Sequence, residues 1–162
     1  MTPVPEDAAR RVLEAARARS WRIATAESCT GGLVAAALTA VPGSSDVVEA
    51  GLVTYSDAAK TALLGTPADL IARHGAVSAQ TARAMAQGAL ERTGADLSVA
   101  ITGIAGPGGG SPGKPVGLVY FATAVNGGEV LLHRETFHDL DRDGVRQASV
   151  AAALDLLLDR LG

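Results

Sequence analysis

The sequence predicts an α/β fold: a three-layer α/β/α sandwich on a mixed, mostly parallel five-stranded sheet. Three observations carry this. Short strand-like runs alternate with alanine-rich helical patterns through the first two thirds of the chain, which implies parallel strands joined by right-handed crossovers. The run Asn126-Gly127-Gly128 lies between two further strand-like segments and marks a tight antiparallel hairpin. Finally, 162 residues suffice for a core of their own without disulfide staples, so residues 1–162 read as a single domain.

Taken in order, Pro5 to Ser20 forms an amphipathic helix, with Ala8, Ala9, Val12, Leu13 and Ala16 on one face and Arg10, Arg11, Glu14 and Arg17 opposite. Trp21 to Thr25 follows as a short strand, and Gly32 to Ala40 as a helix closed by Val41-Pro42-Gly43-Ser44. Val47 to Tyr55 reads as a second buried strand. Ser56 suits the N-cap of a helix from Asp57 to Leu64, and Gly65 the left-handed position that ends it. A short helix from Ala68 to His74 stops at Gly75. Ser78 caps the next, whose inner face is Ala82, Met85, Ala86, Ala89 and Leu90 before Gly94. Leu97 to Thr102 is the third strand, and Gly117 to Val125 and Glu129 to Phe137 form the hairpin. The last helix, from about Arg142 to Leu161, carries Val145, Ala148, Ala152 and Leu156 along one stripe.

Composition narrows the function. A net charge of -3 and few aromatics leave no electrostatic footprint for nucleic acid, while a few placed arginines suffice for a small anion. The amino terminus lacks the basic start and apolar core of a secretory signal, and charges or a glycine-proline cluster interrupt the apolar stretches before they can span a membrane. One cysteine excludes an internal disulfide, the three histidines are scattered, and no metal-ligand spacing occurs; a reducing, cytoplasmic setting is the simplest assumption. No cofactor is called for. Homo-oligomerisation is left open.

In such folds ligands sit beyond the carboxyl ends of parallel strands, and three polar turns share that end here: those after Thr25, after Thr54 and after Thr102. The first, Thr25-Ala26-Glu27-Ser28-Cys29-Thr30-Gly31-Gly32, runs from a strand into a helix, so its hydroxyls and backbone lie at an electropositive helix entrance. Two glycines permit close approach to that backbone. Ser28 or Thr30 fits equally well the plain role of helix N-cap. In the second turn, Tyr55 precedes the cap and Lys60 is the fourth helical residue, which makes them neighbours. A lysine lowered from about 10.4 to near 7, at roughly 4.6 kcal/mol, takes the proton of a serine hydroxyl, and a helix dipole supplies at most about 2 kcal/mol of that. Burial or a second cation must supply the rest, and a surface lysine lying along Tyr55 is the plain alternative.

The third turn, Gly103 to Gly113, has too many glycines and prolines for a buried spacer; it reads as a backbone nest for an anion or as a loose surface loop. Arg142 and Arg146, four apart at the start of the last helix, share a face that either clamps a phosphate or carboxylate or is merely solvated.

Together these runs resemble one known family. Ala26-Glu27-Ser28-Cys29-Thr30-Gly31-Gly32, Gly51-Leu52-Val53-Thr54-Tyr55-Ser56 with Lys60, Gly75-Ala76-Val77-Ser78, Gly103-Ile104-Ala105-Gly106-Pro107-Gly108-Gly109-Gly110 and Lys114-Pro115-Val116-Gly117 are similar to the CinA carboxy-terminal domain, or nicotinamide-nucleotide amidase, family. The resemblance covers nearly the whole chain and implies an anticodon-binding-domain-like fold. It implies metal-independent hydrolysis of the amide of nicotinamide mononucleotide, a small-molecule nucleotide, in pyridine nucleotide salvage. Carried over by motif, Ser28 resembles the nucleophile, Lys60 and Tyr55 its activating partners, and Thr30, Gly31 and Gly32 the surroundings of the oxyanion. Thr102, Gly103, Ala105 and Gly106 match the ligand loop, and Arg142 and Arg146 the basic start of the last helix, with Arg142 for the phosphate. Asp57 stands where the family often has asparagine, Thr66 where valine is frequent, and Ser111 where threonine is usual. Many relatives carry an additional amino-terminal domain of molybdopterin-binding type, so this chain resembles the stand-alone form.

Overall fold

Helices and strands alternate as the periodicity requires. The computed structural model describes residues 6–162, so the expected helix start at Pro5 lies outside the described residues. In order, the elements are α1 (Glu6–Ala18), β1 (Ile23–Glu27), α2 (Leu33–Thr39), a 3₁₀ turn (Ser44–Asp46), β2 (Val48–Val53), α3 (Asp57–Leu64), α4 (Ala68–His74), α5 (Ala79–Thr93), β3 (Leu97–Gly103), β4 (Leu118–Val125), β5 (Val130–Thr136) and α6 (Arg142–Leu161). The order across the sheet is β2-β1-β3-β4-β5. β1 pairs in parallel with β2 and β3, while β4 runs against both β3 and β5, so four strands point one way. The chain leaves β1 towards β2 and returns past it to β3, which opens a crevice beyond the carboxyl ends of β1 and β3.

The two faces of the sheet are packed differently. On one, Ile23, Leu97, Val99, Ile101 and Phe121 meet α1, α2 and α6, with Leu13, Leu38, Leu154 and Leu157 buried. Large side chains contribute about 1.5–3 kcal/mol each when fully buried, so most of the hydrophobic stabilisation lies here. The other face is lined by Ala24, Ala26, Ala100, Ala122 and Ala124 and is covered by Ala82, Met85, Ala86 and Ala89 of α5. Small residues there bring α5 close, and a Cβ on Gly88 would lie 1.9 Å from the Leu64 carbonyl oxygen of α3. Side-chain alternation along β1 sends Ala24 and Ala26 to the alanine face, hence Thr25 and Glu27 to the α2 face.

The caps behave as expected: Ser56 and Ser78 accept from the amides of Ala59 and Thr81 at 3.0 and 3.1 Å, and Gly65 and Gly94 end their helices at positive φ. Two expectations are corrected. β2 is an edge strand with alternate residues exposed, ending at Val53, because among the described residues nothing pairs with its outer side. The buried stripe of α6 is Val145, Ser149, Val150, Ala153, Leu154, Leu157 and Leu161, while Ala148, Ala152 and Leu156 are only half-buried. Ser149 escapes a polarity pattern because it satisfies its own hydroxyl, donating to the Val145 carbonyl at 2.7 Å.

Candidate active site

The turn after β1 is organised by a residue that the sequence pattern did not single out. Glu27 is fully buried, and its carboxylate accepts from the amides of Val34 and Ala35 at 2.9 and 3.0 Å and from the hydroxyl of Thr30 at 2.7 Å. Thr25 adds a fourth donor at 3.2 Å. The N-cap position of α2 belongs to Gly32, at φ +102, with no side-chain cap of its own. Neither Ser28 nor Thr30 is therefore the cap. Glu27 reaches forward from the strand and takes the helix amides instead, which also withdraws them from any substrate.

Ser28 is freed from that structural duty. Its hydroxyl lies 2.9 Å from Lys60 Nζ, on the first helix of the next crossover. Lys60 is 1 % exposed, so it is no surface lysine. Its Nζ also donates to the carbonyls of Thr54 at 2.8 Å and Tyr55 at 3.3 Å. A protonated amine fills all three contacts as a donor, whereas a neutral amine spends its two hydrogens on the carbonyls and turns its lone pair to the Ser28 hydroxyl. Burial pushes the lysine pKa down, with Asp57 and Cys29 pulling the other way. The adjacent thiol is in the opposite condition: burial pushes Cys29 up to about 11, leaving about one thiolate in 10⁴ at neutral pH.

These groups open into a cavity of about 270 Å³ that all three turns line. Ser28 and Cys29 come from the first, Tyr55 and Lys60 from the second, Thr102 to Gly106 from the third. The third turn is not loose. Thr102 donates its hydroxyl to the Ala76 carbonyl at 2.8 Å, Lys114 Nζ to the His74 carbonyl at 2.7 Å, and Ser111 pairs with Lys114. Two of its glycines answer crowding: a Cβ on Gly103 would stand 2.7 Å from Val119 Cγ2, and one on Gly106 2.5 Å from Val116 Cγ1.

The two arginines part company. Arg142 lines the cavity, donating to the Gly106 carbonyl at 2.8 Å and the Tyr55 hydroxyl at 3.0 Å. Arg146 points to the turn behind Ser28, donating to the carbonyls of Cys29 and Thr30 at 3.1 and 3.4 Å.

Comparison with known proteins identifies the family. The family model of the CinA C-terminal domain matches residues 5–161. The chain belongs to the CinA C-terminal domain family. Among curated CinA-like proteins, that of Akkermansia muciniphila is 54% identical over 138 residues, 85% of this chain, and that of Mycolicibacterium vanbaalenii 58% over 135 residues, 83% of this chain. This chain aligns to only 33% and 32% of their lengths, so it spans about a third of these relatives. The crystal structure of competence/damage inducible protein CihA from Agrobacterium tumefaciens is similar at 48% identity and TM-score 0.95, covering 98% of this chain and 96% of that one. A competence or damage-inducible protein from Enterobacter asburiae is similar at 35% identity and TM-score 0.91, covering 97% and 98%.

Set against the residues that the CinA motifs suggested, the structure brings Ser28, Lys60, Tyr55, Thr102, Gly103, Ala105, Gly106 and Arg142 to one cavity. Tyr55 meets the lysine through its carbonyl and Arg142 through its phenol, which is otherwise exposed. Thr30, Gly31, Gly32 and Arg146 are not among the lining residues: Thr30 faces Glu27, Arg146 lies beside Gly31 at the back of the turn, and Gly32 faces Val53. Pattern reasoning passed over Glu27 as a site residue and Ala76 and Val77 as walls. A carboxylate at the end of a buried strand, on the face of Ile23 and seven residues before the helix amides it serves, was the available signal for the first.

Proposed function

We propose that this CinA domain is a serine amidohydrolase that converts nicotinamide mononucleotide to nicotinate mononucleotide and ammonia. One observation carries the reading: a buried lysine amine, held by two carbonyls, with its remaining position on the Ser28 hydroxyl at 2.9 Å. Ser28 Oγ attacks the carboxamide carbon while neutral Lys60 takes its proton, and the tetrahedral intermediate forms. Lys60 returns that proton to the amide nitrogen, the C–N bond breaks, and ammonia leaves an acyl ester on Ser28. Water, deprotonated by the same amine, then attacks the ester, and Lys60 passes the proton to Ser28 Oγ as the acid leaves. Ala76, Val77 and Ile104 offer an apolar wall for the pyridine ring, and Arg142 at the mouth offers its guanidinium to the phosphate. The single cysteine fits a reducing, cytoplasmic setting.

The test is ammonia release from nicotinamide mononucleotide by purified protein with a chelator present, beside the Ser28→Ala variant. Turnover lost only in the variant supports the reading. Binding of the nucleotide without ammonia from either protein makes this a binding module that uses the same turns. Preferential turnover of another small carboxamide in competition moves the substrate assignment and keeps the chemistry.

A further inference from the structure

We infer that Glu27 is the positioning residue of the site, its buried carboxylate fixing the turn that holds Ser28 at attacking distance beside Lys60. The inference rests on the serine and lysine reading above. Both oxygens of the carboxylate face donors only: Thr30 and Val34 on one, Thr25 and Ala35 on the other. Those donors belong to the end of β1, the turn itself and the first residues of α2, so one group ties together all the backbone that flanks Ser28. The main chain of the same residue holds the second member of the pair. The Glu27 carbonyl accepts from the Thr54 amide at 2.7 Å, and the Thr54 carbonyl accepts from Lys60 Nζ at 2.8 Å. Ser28 is thus one residue from Glu27 along the chain, and Lys60 is two hydrogen bonds away across the sheet.

The room around the carboxylate is closed as well. A Cβ on Gly51 would lie 2.8 Å from Ala35 Cβ and 3.2 Å from Thr25 Oγ1, so β2 and α2 approach each other with nothing between. A helix start normally leaves its amides for solvent, a cap or a substrate anion. Here a side chain from the preceding strand holds two of them, and the serine after it is left with the lysine as its side-chain partner.

Three variants test this: Glu27→Gln, which keeps the shape but swaps one acceptor oxygen for a donor amide, Thr30→Val, which removes one contact, and Thr30→Ser, which restores it. Two rates are read on folded protein, verified by thermal melting. The first is labelling of Ser28 by diisopropyl fluorophosphate, in which the Oγ–P bond forms, fluoride leaves and Lys60 takes the proton. The second is kcat and KM for nicotinamide mononucleotide. Glu27→Gln is expected to slow labelling and kcat together by about 100-fold with KM nearly unchanged, the scale of a 1 Å misplacement. Thr30→Val falls between, and Thr30→Ser recovers most of that loss. A folded Glu27→Gln protein that is labelled and turns over at the parent rate overturns the inference, since a purely structural role lowers only the melting temperature. If Glu27→Gln does not fold, equal labelling of Thr30→Val and Thr30→Ser overturns it instead. Parent protein that is labelled but releases no ammonia defeats the amidase reading alone, and the labelling ratios still decide the role of Glu27. Parent Ser28 that resists labelling overturns the inference outright.

Discussion

The two walls of the cavity are built on opposite plans. Behind Ser28, polar side chains do the work: Glu27, Thr30, Thr25 and Arg146 satisfy the turn from below, and Lys60 meets it from the side. Across the cavity, from Gly103 to Gly106, shape comes from missing side chains, because Val119 and Val116 occupy the space where a Cβ would go. The first wall places a reactive group, and the second lets its backbone pack closely against Val119 and Val116. Their weaknesses differ accordingly: a polar deletion on the first wall changes chemistry, whereas an added methyl on the second changes packing.

The largest effect belongs to the first wall. On the proposed mechanism Ser28→Ala removes the attacking oxygen and is expected to drop kcat by on the order of 10⁶-fold, the loss seen when a serine hydrolase forfeits its nucleophile. Ammonia release measures it, with equilibrium binding showing that the nucleotide still enters. Substantial residual turnover would move the assignment to Cys29, against its protonated state. Next comes Gly103→Ala on the second wall. Its new methyl meets Val119 Cγ2 at 2.7 Å and the Leu118 carbonyl at 2.9 Å, so overpacking of about 1–3 kcal/mol is expected as a lowered melting temperature. An unchanged melting temperature would mean that β3 and β4 yield more readily than this contact implies.

Arg142 and Arg146 sharpen the contrast within one helix. Loss of a charge-assisted contact to a phosphate costs about 1.5–3 kcal/mol, so Arg142→Ala is expected to raise KM by roughly 10- to 100-fold with kcat little changed. Arg146→Ala instead unties two carbonyls of the serine turn, and its effect is expected in stability and kcat with KM nearly constant. Reversed KM effects would exchange the roles of the two arginines.

Much of this was legible in the sequence, and the exceptions have physical causes. Periodicity and turn chemistry gave the strands, the hairpin and the caps, because alternation, Gly65, Gly94 and Ser56 act locally. The gathering of Ser28, Lys60 and the third turn followed from strand order, since parallel strands end on the same side. Two failures depended on partners distant in the chain. The exposure of β2 follows from its place at the sheet edge, and Arg146 turns to carbonyls more than a hundred residues away. Glu27 was hidden for a different reason: a carboxylate at a strand end reads as a turn residue until its face of the sheet is known.

The smallest effect tests how finely the first wall is tuned. Asp57, the first residue of α3, lies three positions before Lys60, and its negative charge favours the protonated amine while burial opposes it. General-base catalysis needs the neutral amine, so activity falls on the acid side as Lys60 gains its proton. Replacing Asp57 with asparagine removes a stabiliser of the cation, lowers the lysine pKa further and moves the acid limb of kcat/KM to lower pH. The plateau rate is expected to change little, because the Ser28 to Lys60 geometry does not involve Asp57. An acid limb that stays in place would assign it to a group other than Lys60, and one that moves to higher pH would contradict the sign of the charge effect.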